Sequence, residues 1–303
     1  MIIKNKNIKR ENSRSLSALL KVNNRIQFLE AHNALSALIV ENTKISSGSE
    51  LRKFDGVWAG SLTDATVKGK PDNETVHFDS RLSSLSEILS VTTKPILYDG
   101  DSGGTPLNFA KLVTTLAQLE ISGVVIEDKE GLKQNSLLAA SIQKQTSIES
   151  FTTKIRAGKS AVKDQDFMIF GRIESLITGA GMEDALLRAK SYILAGADGI
   201  MIHSRSSEPT EIFEFCEKFR EYNLVLPLIV VPSTFDSTTN ESLWDRGVNI
   251  VIYANHLLRS AYPAMLATAK SILQNGRASE AKEKMMTIKE VLEIIPDNTQ
   301  YEI

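Results

Sequence analysis

The chain has 303 residues, 42% hydrophobic and 24% charged, with 35 basic against 37 acidic side chains and a formal net charge of −2. That balance leaves no electrostatic footprint for nucleic acid or a membrane surface and points to a small-molecule partner. Cys216 is the single cysteine, no apolar run reaches the roughly 20 residues of a membrane span, and Met1-Ile2-Ile3-Lys4-Asn5-Lys6 lacks a secretory pattern, so a cytoplasmic enzyme without disulfides is expected.

In chain order, residues 1–15 are polar and basic, with Lys4, Lys6, Lys9, Arg10 and Arg14, and read as a flexible N-terminal arm. A folded body is expected from Leu16, with 16–303 forming one domain. Short runs rich in Ile, Val and Leu then alternate with longer stretches of helical period, the pattern of repeated βα units around a parallel sheet. The predicted strands are Ile26 to Ala31, Gly56 to Gly60, Pro95 to Asp99, Gly123 to Glu127, Phe167 to Glu174, Gly199 to Ser204, Leu228 to Pro232 and Ile250 to Ala254. Eight such repeats close a TIM-type (β/α)8 barrel, the expected fold class; an open doubly wound sheet is the competing architecture.

Between the second and third strands, Thr63 to Glu74 carries Gly69, Pro71 and Asp72 and little apolar periodicity, so a loop over the site is expected. Outer helices are predicted over Ser147 to Ala157, ending at Gly158, and over Met182 to Ala195, ending at Gly196. After the eighth strand, Leu257 to Asn275 and Lys284 to Ile294 give two helical patterns where a barrel needs one. The surplus C-terminal helix is expected to pack on a neighbouring subunit.

In a parallel barrel the C-terminal strand ends open on one face, so distant side chains converge there. Those positions hold Asp99 and Asp101, Glu127, Arg172 and Glu174, His203, and Asn255 with His256. Asp99 and Asp101 read as two apart on extended backbone and therefore on one face, as do Arg172 and Glu174. Carboxylates beside Val/Ile runs are costly to bury without a metal, a ligand or a counter-charge, and an oxygen-only ligand set suits Mg²⁺ or Mn²⁺. Zinc is disfavoured, because Cys216 lies within a helical stretch and the four histidines are scattered. Simpler readings stay open: a strand-end Asp can cap a helix, Arg172 can pair with Glu174 in a structural network, and His203 can be a core histidine. The Ser102-Gly103-Gly104 run after Asp101 is expected to permit close ligand approach, although it matches no nucleotide-binding spacing.

From Leu16 to Pro296 the chain resembles the phosphoenolpyruvate mutase branch of the isocitrate lyase superfamily. The most specific element is Glu127-Asp128-Lys129-Glu130-Gly131-Leu132-Lys133-Gln134-Asn135-Ser136, similar to the E-D-K-x(5)-N-S marker of the mutases. Trp58-Ala59-Gly60-Ser61-Leu62, Asp72, Asp99-Gly100-Asp101, Arg172-Ile173-Glu174 and His203 follow the family pattern in order and spacing.

The resemblance implies a barrel whose last helix is exchanged with a partner in a homodimer or homotetramer, Mg²⁺, and interconversion of phosphoenolpyruvate with phosphonopyruvate. It further implies Asp99 as the direct metal ligand, with Asp101, Glu127 and Glu174 holding its waters. Gly60, Ser61 and Leu62 would give backbone donors to the substrate carboxylate beside Trp58. Arg172, His203, Asn135 and Lys133 would surround the phosphoryl group near Ser136, with Asp72 by the migrating phosphorus, either as a transient nucleophile or as an orienting group. A lid over Glu130 to Asn135, hinged at Gly131, is expected to keep water out.

A phosphonopyruvate hydrolase is the nearest rival and resembles a Thr where this chain has Asn135. A carbon–carbon lyase is disfavoured, because lyases of isocitrate-type substrates carry a Lys-Lys-Cys-Gly-His loop where this chain has Lys129-Glu130-Gly131-Leu132-Lys133. A catalytically inactive binding barrel is the non-enzyme alternative.

Overall fold

The strands form where β-branched residues crowd. A computed structural model describes residues 14–295 apart from 49, 132, 134, 137–142, 164 and 224. Most of the expected arm, 1–13, and Leu132 and Gln134 of the expected lid therefore lie outside the described residues.

Eight parallel strands close a barrel: β1 (Ile26–Glu30), β2 (Gly56–Ala59), β3 (Ile96–Asp99), β4 (Gly123–Glu127), β5 (Met168–Ile173), β6 (Gly199–Ile202), β7 (Leu228–Val230) and β8 (Ile250–Tyr253). Around the ring each strand pairs with its sequence neighbours, and β1 closes the circle on β8. Closure removes the sheet edges and excludes the open doubly wound alternative. All eight expected strands are present; Gly123–Glu127 keeps its expected bounds and the other seven lose one or two residues at their ends.

The barrel interior is filled rather than hollow. Phe28, Trp58, Leu97, Val125, Phe170, Met201, Ile229 and Ile252 form one buried cluster, and Leu16 joins it from the helix Leu16–Val22, whose N-terminus is capped by Ser15. The outer helices bury one stripe each, for example Phe109, Val113 and Leu116 of Pro106–Gln118.

Three expectations are corrected. The stretch from Thr63 is not loop at its start, because Ser61–Val67 forms a seven-residue helix before the turns that carry Gly69 to Glu74. The helix expected to stop at Gly158 runs over Ile148–Ala161. Gly158 serves close packing instead, since a Cβ there would meet the Phe109 ring at 2.3 Å. The pattern over Lys284 to Ile294 resolves into a 3₁₀ turn, Ser279–Lys284, and a shorter helix, Ile288–Ile294, which starts at a Thr287/Glu290 capping box.

Residues 11–255 make up one compact unit, and residues from His256 onward belong to another. In the second, the helix His256–Asn275 has no buried residue, and the helix after Thr287 exposes Ile288, Val291, Leu292 and Ile295 at helical spacing. Among the described residues no helix is long and apolar enough to cross a membrane.

Candidate active site

The strand ends β2 to β6 deliver the polar groups to one cavity of about 90 Å³. It is lined by Trp58, Gly60, Ser61, Leu62, Asp72, Asp99, Glu127, Lys133, Asn135, Ser136, Arg172 and His203, together with Met201, Val231, Ser233, Ala254 and Asn255. Every expected catalytic and substrate-binding position is among them. Of the expected metal positions, Asp99 and Glu127 face the cavity directly; Asp101 and Glu174 stand behind it, each bonded to a residue that does.

Asp99 ends β3. Its Oδ2 accepts the backbone N–H of Ser61 at 3.2 Å and the Ser61 hydroxyl at 2.9 Å. Burial pushes its pKa up, but Lys133, Arg172 and Arg81 outweigh that and hold it below the usual carboxylate value. Asp101 does not continue the strand: its φ of +51° is left-handed, so the expectation of an extended pair on one face is corrected. The turn is set by Asp99 Oδ1, which accepts the Asp101 N–H at 3.2 Å, and by Arg81, which donates to Asp101 Oδ2 at 3.0 Å and to the Asp99 carbonyl at 2.8 Å. Burial and the Asp99 charge raise the Asp101 pKa against Arg81 and Lys133. Gly103 and Gly104, at φ +72° and +65°, shape the same turn and line a separate cleft, so they give no ligand approach to this cavity.

Two loops clasp each other over the cavity. Lys133 Nζ contacts Asp72 Oδ1 at 2.5 Å, donates to the Ser61 hydroxyl and pairs with Asp101. Asn135 donates to Asp72 Oδ2 at 3.4 Å. Burial disfavours the Lys133 charge, but Asp99, Asp101 and Asp72 outweigh it and keep the ammonium protonated well above its ordinary range.

On β4 and β5, Glu127 and Arg172 are direct cross-strand partners, which brings Arg172 Nη2 to 3.4 Å from Glu127 Oε2. Arg172 also donates to Glu174 Oε1 and to Ser136 Oγ. Glu174 is completely buried; burial raises its pKa, but Arg172 and His203 overcome this and hold the carboxyl far below its usual range. His203 Nδ1 lies 2.9 Å from Arg172 Nη2 and 3.2 Å from Glu174 Oε1, and burial together with the Arg172 charge lowers the pKa of the ring against the pull of Glu174. Ser136 ties the set together, accepting from Lys129 at 2.6 Å and donating to Glu174 Oε2 at 2.9 Å.

The site fits a hard divalent cation held partly through water. Among the described residues no three His, Cys, Asp or Glu side chains converge on one point, so a cage of direct protein ligands is not built. Glu127, however, has a buried Oε1 with no hydrogen-bond partner among the described residues, and burial, with Glu174 adding to it, lifts its pKa to about 7 against the pull of Arg172. A buried acceptor left open beside Asp99 suits the hydrogens of metal-bound water. Cys216 lies elsewhere, buried in the helix Thr210–Tyr222, where burial pushes its thiol up to about 12.

Sequence reasoning missed Arg81, Met201, Val231, Ser233 and Ala254. Arg81 lies on the buried face of its helix with Leu85 and Ile88, at i, i+4 and i+7, so a charge on an apolar stripe was the available signal. Met201 stands two residues before His203, a period of two that puts both on one side of the strand.

A family model described as phosphoenolpyruvate phosphomutase matches residues 16–273. A phosphoenolpyruvate phosphomutase of Tetrahymena pyriformis is 37% identical over 267 residues, 88% of this chain and 85% of that protein. The crystal structure of phosphoenolpyruvate phosphomutase from Streptomyces platensis subsp. rosaceus superposes with a TM-score of 0.85 at 31% identity, covering 93% of this chain and 94% of that one. A phosphonopyruvate hydrolase in complex with oxalate and Mg²⁺ superposes at 0.81 with 30% identity, again over 93% and 94%. The matched span contains the whole barrel and every residue lining the cavity, and on these grounds the chain belongs to the phosphoenolpyruvate phosphomutase family.

Proposed function

We propose that the protein is a phosphoenolpyruvate mutase, an isomerase that interconverts phosphoenolpyruvate and phosphonopyruvate. The observation that carries the reading is the Lys133–Asp72–Asn135 clasp over a cavity whose walls supply Arg172 and His203. In the reaction the bond from phosphorus to the enol oxygen breaks, a bond from phosphorus to C3 forms, and the enol becomes a ketone, with no net proton transfer. Between those events a PO₃ unit and an enolate must be held together without water, by positioning and charge.

Arg172, His203 and Asn135 are the donors for the phosphoryl oxygens. The first turn after β2, Gly60 to Leu62, supplies backbone donors for the substrate carboxylate; the Ser61 N–H now bound to Asp99 is the one that must be shared. Asp72 stands at the migrating phosphorus, and its grip on Lys133 and Asn135 closes the cavity against water. Mg²⁺, for which Mn²⁺ can substitute, would be held by Asp99 directly and by Asp101, Glu127 and Glu174 through waters, and when bound would neutralise charge on the carboxylate and the developing enolate. Mg²⁺ in the related hydrolase supports this assignment.

The exposed Tyr262, Met265, Leu266, Ile288, Val291 and Leu292 support a second copy of this chain as the partner, by exchange of C-terminal helices in a dimer or tetramer. A cytoplasmic location agrees with a small charged substrate. Incubation with Mg²⁺ and phosphonopyruvate, followed by ³¹P resonance, tests the function. Phosphoenolpyruvate is the expected product; free phosphate would instead establish the hydrolase, and no turnover an inactive binding barrel.

A further inference from the structure

The cavity has two chemical halves. The polar half comes from β3 to β6 and the loops above them. The rest of the lining brings the apolar side chains Trp58, Met201, Val231 and Ala254, with Ser233 and Asn255 close after the last two in the chain. Trp58, Met201 and Val231 belong to the cluster that fills the barrel, and Ala254 packs against it. Met201 is 1% and Val231 9% exposed, so neither can swing aside without disturbing a close-packed interior.

Phosphoenolpyruvate offers this wall little choice. Its carboxylate, bridging oxygen and phosphoryl group would each lose hydrogen bonds against Met201 and Val231, at a cost these two side chains do not return. C3, the methylene that becomes the phosphorus acceptor, is the one carbon without a polar substituent. We propose that Met201 and Val231 bound the space around C3 and set the specificity of the enzyme for a three-carbon acid unsubstituted at that carbon. The inference rests on the mutase reading and adds to it the residues that reject C3-alkylated homologues. An added methyl at C3 would press on side chains that are themselves packed from behind, in a cavity of about 90 Å³.

The test compares phosphonopyruvate with its 3-methyl homologue, both followed by ³¹P resonance, in the wild type and in Val231→Ala and Met201→Ala. The ratio of kcat/KM for the methylated over the plain substrate should rise about 10–200-fold in at least one variant, the discrimination a hydrophobic pocket gives for one methylene. Val231→Ile should move the same ratio the other way. Ile229→Val, in the barrel cluster but outside the cavity lining, should leave it unmoved, which separates a specificity role from general loosening. An unchanged ratio in Val231→Ala, Met201→Ala and Val231→Ile, with normal wild-type turnover, overturns this inference alone. A wild type that does not convert phosphonopyruvate to phosphoenolpyruvate overturns the mutase reading along with it.

Discussion

Glu127 and Asp128 are chain neighbours at the end of one strand, 4% and 0% exposed, and they face opposite sides of it with opposite fates. Asp128 points towards the outer helices and is saturated. It accepts from Tyr192 OH at 2.6 Å, the Glu174 backbone N–H at 3.0 Å, Gln145 Nε2 at 3.1 Å and Arg188 Nη1 at 3.2 Å. Glu127 points into the cavity with two charged neighbours at 3.4 and 3.5 Å and one oxygen open among the described residues. A buried acceptor without a donor costs about 1–3 kcal/mol, so the fold tolerates at Glu127 what it removes at Asp128. Asp128 is spent on holding the fold, whereas the open oxygen of Glu127 faces the cavity where the proposed metal-bound water would donate to it.

The largest effect expected on the cavity side is at Asp99. Asp99→Ala should lower Mg²⁺-dependent turnover on the order of 10³-fold or more, since a metal contributes several kcal/mol of charge stabilisation. The unfolding temperature should stay within a few degrees of the wild type. Near-normal activity would take Asp99 out of the metal site and leave the contrast resting on Glu127 alone.

On the saturated side the loss should appear in stability. Asp128→Ala leaves Arg188 paired with Asp184 but takes the acceptor from the buried Tyr192 hydroxyl and the Glu174 backbone N–H, at about 1–3 kcal/mol for each, readable as a lower urea midpoint. Glu127→Gln should do the reverse, holding the midpoint near or above the wild type while weakening Mg²⁺ binding about 10–100-fold by calorimetry. If both variants lost stability alike, the distinction between the two carboxylates would fail.

Much of this was legible in the sequence, for local reasons. Val/Ile runs ending in charged residues located the strands and with them Asp99, Glu127, Arg172 and His203, because strand period and parallel closure are properties of short segments. Gly158 was misread since a helix-ending glycine and a glycine that admits the Phe109 ring look alike until the neighbouring helix is in place. Asp101 was placed on extended backbone because its turn depends on Arg81, 20 residues upstream. The role of Asp128 was hidden for the same cause, its partners Arg188 and Tyr192 lying 60 and 64 residues away on the helix Gly181–Leu194.

The smallest expected effect is the most selective. Burial raises Glu127 to about 7 from an ordinary 4.5 and Asp128 to about 6 from 3.8, so each keeps in the folded state a proton that the unfolded chain has released. Raised carboxyl values mean stability that is complete below the unfolded pKa and is lost as pH climbs through the folded one. For Asp128 the loss is over by about pH 6, and for Glu127 it continues to about 7. His203, held below 6.5 by burial and Arg172, works in the opposite direction, adding stability as the unfolded ring gives up its proton around pH 6.5 and fading over about the next pH unit. Glu174 and Asp99, with lowered values, act below their ordinary 4.5 and 3.8. Between pH 6.5 and 7.5 the metal-free protein should therefore lose stability through Glu127, with Asp101, also raised, acting in the same direction, and the Glu127 share is no steeper than about 1.4 kcal/mol per pH unit. Urea midpoints measured with a chelator present should decline more steeply across that interval in the wild type than in Glu127→Gln. Equal slopes in the two proteins would mean that Glu127 is already ionised at pH 6.5 and that its open oxygen is satisfied without a metal.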